Sequence, residues 1–350
     1  MKEILWRLLA LCLGVLMLAG CGQESASPSA APIPVKVGML RLASSAPLFI
    51  GIEKGYFVEE GIAPEPVWFD AAQPIAVATA SNAIDVGATG LTAGLYNLAA
   101  AGQVPYLVAD KGREVPEHSG SFLVVTAQAY AAGVHEVKDL AGKTLGNTQA
   151  GSTYQYMAGH LLEQAGLDRA AVNYANLGKV SAVLAALTSG QIDGAIVNEP
   201  FASQLLESGQ VKLLTPVGER LTYQTSAVFY APRFAQNNDA GKRFMRAYIR
   251  ACRDYYDAVF ADAPVMTPAK RLETDARFRE VVEIISRYTQ TPAADVSRSL
   301  PYIDRDGKLA TDDIAKQIAW YRSNGFMEHD LAAEACIRTQ SWQAAYDSLK

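Results

Sequence analysis

The strongest constraint on this chain is a segment that it uses twice. Ser81-Asn82-Ala83-Ile84-Asp85-Val86-Gly87-Ala88 is matched by Ser189-Gly190-Gln191-Ile192-Asp193-Gly194-Ala195-Ile196. Gly61-Ile62 and Val67-Trp68-Phe69 are matched in the same order by Gly166-Leu167 and Val172-Asn173-Tyr174. Around each copy, short apolar runs alternate with longer amphipathic ones, the pattern of strands alternating with helices. The first half predicts strands at 35–41, 66–69, 85–88 and 105–109, with helices at 47–61, 74–81 and 91–101. The second predicts strands at 143–146, 172–175, 193–197 and 211–214, with helices at 152–166, 180–190 and 201–208. A repeat of about 75–80 residues used twice is too long for a solenoid unit. It predicts an α/β fold of two similar lobes, each with its own parallel-rich sheet flanked by helices.

Two further apolar segments, 121–125 and 226–230, bracket the second copy and are placed to cross between lobes. The expected division is therefore residues 121–224 for lobe 2, and 35–120 together with 225–350 for lobe 1. The remainder predicts helices at 240–260, 276–288, 311–324 and 331–349, with apolar spacing such as Phe244, Tyr248, Cys252 and Tyr255. These would wrap lobe 1 and the back of the hinge.

Residues 1–20 have a different character. Lys2 and Arg7 precede an apolar run from Leu8 to Ala19, shorter than a membrane span and laid out as a signal peptide. The run ends Leu18-Ala19-Gly20-Cys21, which resembles a bacterial lipoprotein box. That resemblance implies a lipidated Cys21 as the mature N-terminus; a plain signal peptide with a chance cysteine is the other reading. Residues 21–34, rich in Ser, Ala and Pro, predict a flexible tether. Loss of Lys2, Glu3 and Arg7 with the leader shifts the formal charge from -5 to -6. No Lys/Arg block occurs, which argues against nucleic acid as a partner. Cys252 and Cys336 do not make a disulfide framework; a bridge and burial as small apolar residues are both open.

Ligands of open α/β sheets bind beyond the carboxyl ends of the strands. The loops predicted there contain Ser44 and Ser45, Asp70, Thr89 and Gly90, Gly151 to Tyr154, and Asn198 with Glu199. Several lead straight into helix starts, whose free N–H groups favour anionic or polar atoms. Ser44, Ser45, Gly90, Gly151 and Ser152 would let backbone approach a ligand closely, while Tyr154 and Tyr223, with Tyr156 and Trp68, would supply flat apolar walls. Thr153 belongs to the same polar glycine loop. Ser152 with Gln155 also fits a capping box, and Glu199 before Pro200 fits a helix start stabilised by its dipole. Glu199 alternatively accepts hydrogen bonds from a donor on the ligand.

The segments APLFIGIEKGYFVEEGI, AGSTYQYMAGHLLEQAGLD, SGQIDGAIVNEPFASQLLESG and LPYIDRDGKLATDDIAKQIAWYRSNG resemble the periplasmic solute-binding proteins of ABC importers. The subgroup is the one for nitrate, taurine, alkanesulfonates and thiamine-precursor pyrimidines. The resemblance spans about residues 38–325. It implies a hinged, bilobed type II binding protein, a monomer lying near the membrane by its lipid anchor and delivering ligand to an ABC permease. It also implies that the loop at Gly151–Thr153 and the turn at Glu199-Pro200 line the cleft. Members often have tryptophan or aspartate before that turn, where this chain has Asn198.

Other classes are less well served. The chain lacks a GxSxG elbow, GxGxxG, a P-loop and HExxH, so neither a cofactor nor catalysis is expected. His118, His135, His160 and His329 show no metal-ligand spacing, and no metal is expected. Pyrimidine-synthesising enzymes on this fold resemble the chain, but their cysteine-rich iron motif has no counterpart here. A lipoprotein that reports to a membrane sensor, or carries an apolar molecule, is the alternative to an importer receptor. The expected ligand is a small organic acid, sulfonate or heterocycle.

Overall fold

The computed structural model describes residues 31–261, 266–298 and 300–350; Cys21 and the leader lie outside them. Ten strands form two sheets. The first contains β1 (Ile33–Met39), β2 (Ile62–Trp68), β3 (Val86–Gly90), β4 (Tyr106–Glu114) and β10 (Tyr223–Tyr230). The second contains β5 (Ser121–Thr126), β6 (Thr144–Asn147), β7 (Asn173–Asn176), β8 (Gly194–Asn198) and β9 (Val211–Pro216). Their orders are β2-β1-β3-β10-β4 and β7-β6-β8-β5-β9, the same plan twice.

The sheets are mixed rather than parallel throughout. β1 pairs in parallel with β2 and β3, but β10 runs antiparallel between β3 and β4. β5 likewise runs antiparallel between β8 and β9. The fourth strand of each copy is thus separated from its own three by the strand that has crossed from the other sheet. Alternation of side chains between the two faces places Val124 in one core and Leu123 and Val125 in another. β10 divides in the same way, with Val228 on one face and Ala227 and Phe229 on the other.

Helices predicted from periodicity appear, with informative breaks. The single helix expected at 47–61 is two, Ala46–Glu53 and Tyr56–Glu59, because Gly55 adopts φ 73° between them. The helix expected at 331–349 is also two, Ala333–Cys336 and Gln340–Asp347. Between them Ile337 forms a bridge to Leu107 and Arg338 N–H donates to the Leu107 carbonyl at 2.8 Å, which covers part of the open edge of β4. Asn238–Val259 buries Phe244, Tyr248, Cys252 and Tyr255 on one stripe, and its N-cap Asn237 accepts from Ala240 N–H. Cys252 and Cys336 are both free and buried.

The helix Thr311–Ser323 joins the two halves. Tyr321 Oη donates to the Leu91 carbonyl at 3.0 Å, while Trp320 Nε1 donates to Glu163 at 3.1 Å. Tyr156 stacks on Tyr223 and meets Trp320 edge-on, so one aromatic cluster draws on both sheets. Among the described residues no helix is long and apolar enough to cross a membrane.

Phe244 is fully buried between Phe57 and Tyr230, with ring centroids at 4.8 and 6.1 Å. Phe244→Ala should cost about 3–5 kcal/mol through lost burial and a residual cavity. Urea unfolding followed by circular dichroism checks this.

Candidate functional site

The carboxyl ends of β1, β3, β4, β6 and β8 converge where the sheets face one another. The lobes touch there directly. Ala93 N–H donates to the Gly151 carbonyl at 2.9 Å, Val180 N–H to Asp70 O at 3.2 Å, and Ala43 N–H to Glu199 O at 3.3 Å. Gly151 is at φ 70°, and a Cβ there would lie 2.6 Å from Ala93 Cβ. Gly90 is equally constrained, since its Cβ would lie 2.8 Å from Thr153 Cγ2. These glycines therefore serve the close approach of one lobe to the other.

Beside these contacts lies a small cavity of ≈ 50 Å³. Ser44, Thr89, Gly90, Ser152, Thr153, Tyr154 and Asn198 line it, together with Lys111. Thr89, in its wall, carries a buried hydroxyl with no hydrogen-bond partner, whereas the hydroxyl of Thr225, also a wall residue, is engaged with the Tyr223 phenol. A buried donor without a partner costs free energy unless a ligand or water meets it. Burial raises the Tyr154 phenol well above its ordinary range, so it remains protonated.

An apolar groove of ≈ 230 Å³ opens beside the cavity and shares Leu40, Leu42 and Val180 with it. Trp68, Phe69, Leu184 and Phe201 form its walls, and the exposed Asp70 stands at its margin. Arg41 stacks over Trp68 at 4.0 Å and donates to the Tyr288 carbonyl.

Other sequence-selected residues are occupied by the fold. Ser45 is fully buried and its hydroxyl donates to Leu40 O at 3.0 Å. Ser152 Oγ caps its helix by accepting from Gln155 N–H at 3.2 Å and also bonds Asn147 Oδ1. The expected reciprocal cap is displaced by one residue: Gln155 Oε1 accepts from Gly151 N–H at 2.8 Å, because Ser152 N–H is turned to Gln149 O. Asn147, buried beneath this loop, donates to Gln149 O at 2.7 Å and to Asn176 at 3.2 Å. The structure places Tyr223 in the aromatic cluster with Tyr156, away from the cavity wall.

Glu199 is buried, and its carboxylate accepts from Ser203 N–H at 3.1 Å and Ser203 Oγ at 2.9 Å. This is the helix-start role. The Glu199-Pro200 peptide is cis. Asn198 donates to Ser121 Oγ at 2.8 Å, and Ser121 donates to Glu114 Oε1 at 2.6 Å. Glu199 and Glu114 both line a second cavity of ≈ 20 Å³, adjoining the first through Ser44, Asn198, Thr225 and Ser226.

Sequence reasoning did not select Lys111 or Glu114, while Asn147 opens the loop 147–154 that it placed at the strand ends. Lys111 and Glu114 lie in Asp110-Lys111-Gly112-Arg113-Glu114, which continues an apolar strand that the pattern ends at 109. The available signal was an alternation of opposite charges directly after a buried run, with a glycine in its centre. Arg113 is partnered: it donates to Gln224 at 3.2 Å and to Lys308 O, and stands 3.7 Å from Asp110 and 3.8 Å from Asp304.

Burial pushes the Glu114 carboxyl up to about 7 from 4.5, against hydrogen bonds from Ser121 and Gly120 and with help from the Glu199 charge. Folding therefore favours its protonated form. That contribution is whole below pH 4.5 and is lost as the pH rises through 7. Glu114→Gln should flatten the fall in stability across this window. Above it the variant should gain at most about 3 kcal/mol, reduced by the amide donor it sets against Gly120 or Ser121. Urea midpoints measured from pH 4.5 to 8 for both proteins check the slope.

The profile of the NMT1-like family matches residues 29–263, which include all ten strands. No curated protein matches the sequence. Among solved structures, the alkanesulfonate-binding protein SsuA from Xanthomonas axonopodis pv. citri, bound to MOPS, is 19% identical with a TM-score of 0.69. That alignment covers 89% of this chain and 100% of SsuA. The periplasmic nitrate-binding protein NrtA from Synechocystis PCC 6803 is 16% identical at a TM-score of 0.68, over 91% of this chain and 89% of NrtA. The desulfurization enzyme DSZB is 14% identical at 0.60, over 91% of this chain and 100% of DSZB. These likenesses show the two-lobed periplasmic-binding-protein fold, and the profile match over two sheets and the cleft between them establishes that the chain belongs to the NMT1-like family.

Proposed function

We propose that this protein is the solute-binding receptor of an ABC importer and takes a small organic molecule into the cleft between its lobes. The observation that carries the proposal is the small cavity at the strand ends, walled by both lobes and lined by Thr89, with its unpartnered hydroxyl, and by the buried Lys111. A ligand that meets groups of both lobes favours their closed arrangement by its differential affinity for it. The apolar groove next to the cavity favours a ligand with a polar head and a carbon body over a bare inorganic ion. Family membership and the names of the similar structures, SsuA and NrtA, support a transport role.

In this reading residues 35–120 with 225–350 act as one lobe and 121–224 as the other. Residues 1–20 direct export, and Cys21 carries the lipid that holds the receptor beside its permease. The protein works as a monomer. The likeness to DSZB favours a second reading, in which the cleft acts chemically on a sulfur-bearing ligand.

A thermal-shift panel of organic acids, sulfonates and neutral heterocycles tests the receptor reading. At least one class should raise the melting temperature in a concentration-dependent way. Silence across the panel would count against the proposal, and products detected by mass spectrometry in the same samples would select the enzyme. Radiolabelled palmitate should be incorporated by the wild type and absent from Cys21→Ser.

A further inference from the structure

On the receptor reading above, we propose that Lys111 is the specificity-determining cation of the cleft, its ammonium pairing with the acid group of a singly charged organic anion. Among the described residues Lys111 is the one fully buried lysine, and both it and Ser44, to which its Nζ donates, line the ≈ 50 Å³ cavity. It donates to Ser44 Oγ at 2.8 Å; among the described residues it forms no ion pair, and the neighbouring Asp110 charge only partly offsets its burial. A buried ammonium at a cavity wall without a paired anion lacks its natural partner. Thr89, a residue of the same cavity wall, has an unpartnered hydroxyl that can donate to the same oxygens.

The surrounding charges limit the ligand to one negative charge. On the same strand, the Asp110 carboxylate is occupied by Gly112 N–H, Asp304 N–H and Gln224, and Arg113 is drawn to Asp110 and Asp304. From the opposite lobe Glu199 lines the adjoining cavity and opposes further negative charge, and Glu114, in the same wall, does so where the pH exceeds about 7. Tyr154, from the lobe 2 helix start, stays neutral in this range. The space suits a carboxylate or sulfonate head, with the carbon body passing to the groove of Trp68 and Phe69.

Burial holds the empty-site amine down at about 7. An incoming anion favours the ammonium, so above this pH the lysine takes one proton from water as the anion binds. Affinity should then fall roughly tenfold per pH unit above neutrality.

The test uses the ligand-free protein carrying lysine labelled with carbon-13 at Cε, with methanesulfonate and acetate as head-group probes. Lys111→Met identifies the resonance. Its titration should centre near 7 and move up by at least one pH unit with either probe, while methyl acetamide leaves it unchanged. A midpoint near the ordinary lysine value, or indifference to both anions, would overturn the assignment. Lys111→Met and Lys111→Gln should both lose the anion response, with folding verified by circular dichroism. If the lysine is indifferent while the thermal-shift panel finds a neutral ligand, the anchor fails and the receptor reading stands. If the panel is also silent, both fail.

Discussion

Each sheet of this protein is completed by a strand from the other side of the cleft. β10 is hydrogen-bonded between β3 and β4, and β5 between β8 and β9, so the chain crosses twice between sheets of the same order. Such an inserted strand cannot leave without breaking two ladders of hydrogen bonds. The exchange fixes which strand ends share an edge. The amino ends of β5 and β10 lie beside the carboxyl ends of β8 and β3, as the pairs Ser121–Asn198 and Ser226–Gly90 record. Every group that lines the central cavity depends on that juxtaposition.

A second consequence is electrostatic. β4 carries Asp110, Lys111, Arg113 and Glu114 on the edge where the lobes meet, and three of these, Asp110, Lys111 and Glu114, are almost wholly removed from water. Desolvation opposes ionisation of each. The backbone and Gln224 satisfy Asp110, and Ser121 and Gly120 satisfy Glu114, whereas Lys111 has only a serine hydroxyl. A buried lysine without an ion pair and the unpartnered Thr89 hydroxyl therefore coincide in the wall of one small space.

Much of the fold was legible because local patterns and tertiary environment agree. Gly166 and Gly190 end helices at the expected positions with positive φ, and the stripe of Phe244, Tyr248, Cys252 and Tyr255 faces the core as its spacing predicts. The expected helices at 47–61 and 331–349 are interrupted where the backbone takes a different conformation. Gly55 makes a left-handed turn in the first, and residues 337–338 pair with β4 like a strand in the second. Of the residues selected at strand ends, Ser44, Thr89, Gly90, Ser152, Thr153, Tyr154 and Asn198 stand together in the cavity wall. Tyr223 stands outside that wall and stacks on Tyr156.

By itself the sequence determined the repeat, the alternation of strand and helix, and the loops that gather at the strand ends, since each is a local property of apolar spacing and turn chemistry. Only the tertiary structure decided that Gly90 and Gly151 serve contact between lobes, that the Ser45 and Ser152 hydroxyls satisfy their own backbone or loop, and that Lys111 is buried without an anion. The physical reason is that burial and hydrogen-bond satisfaction belong to pairs of groups far apart in the chain, and no local pattern records whether a partner is present.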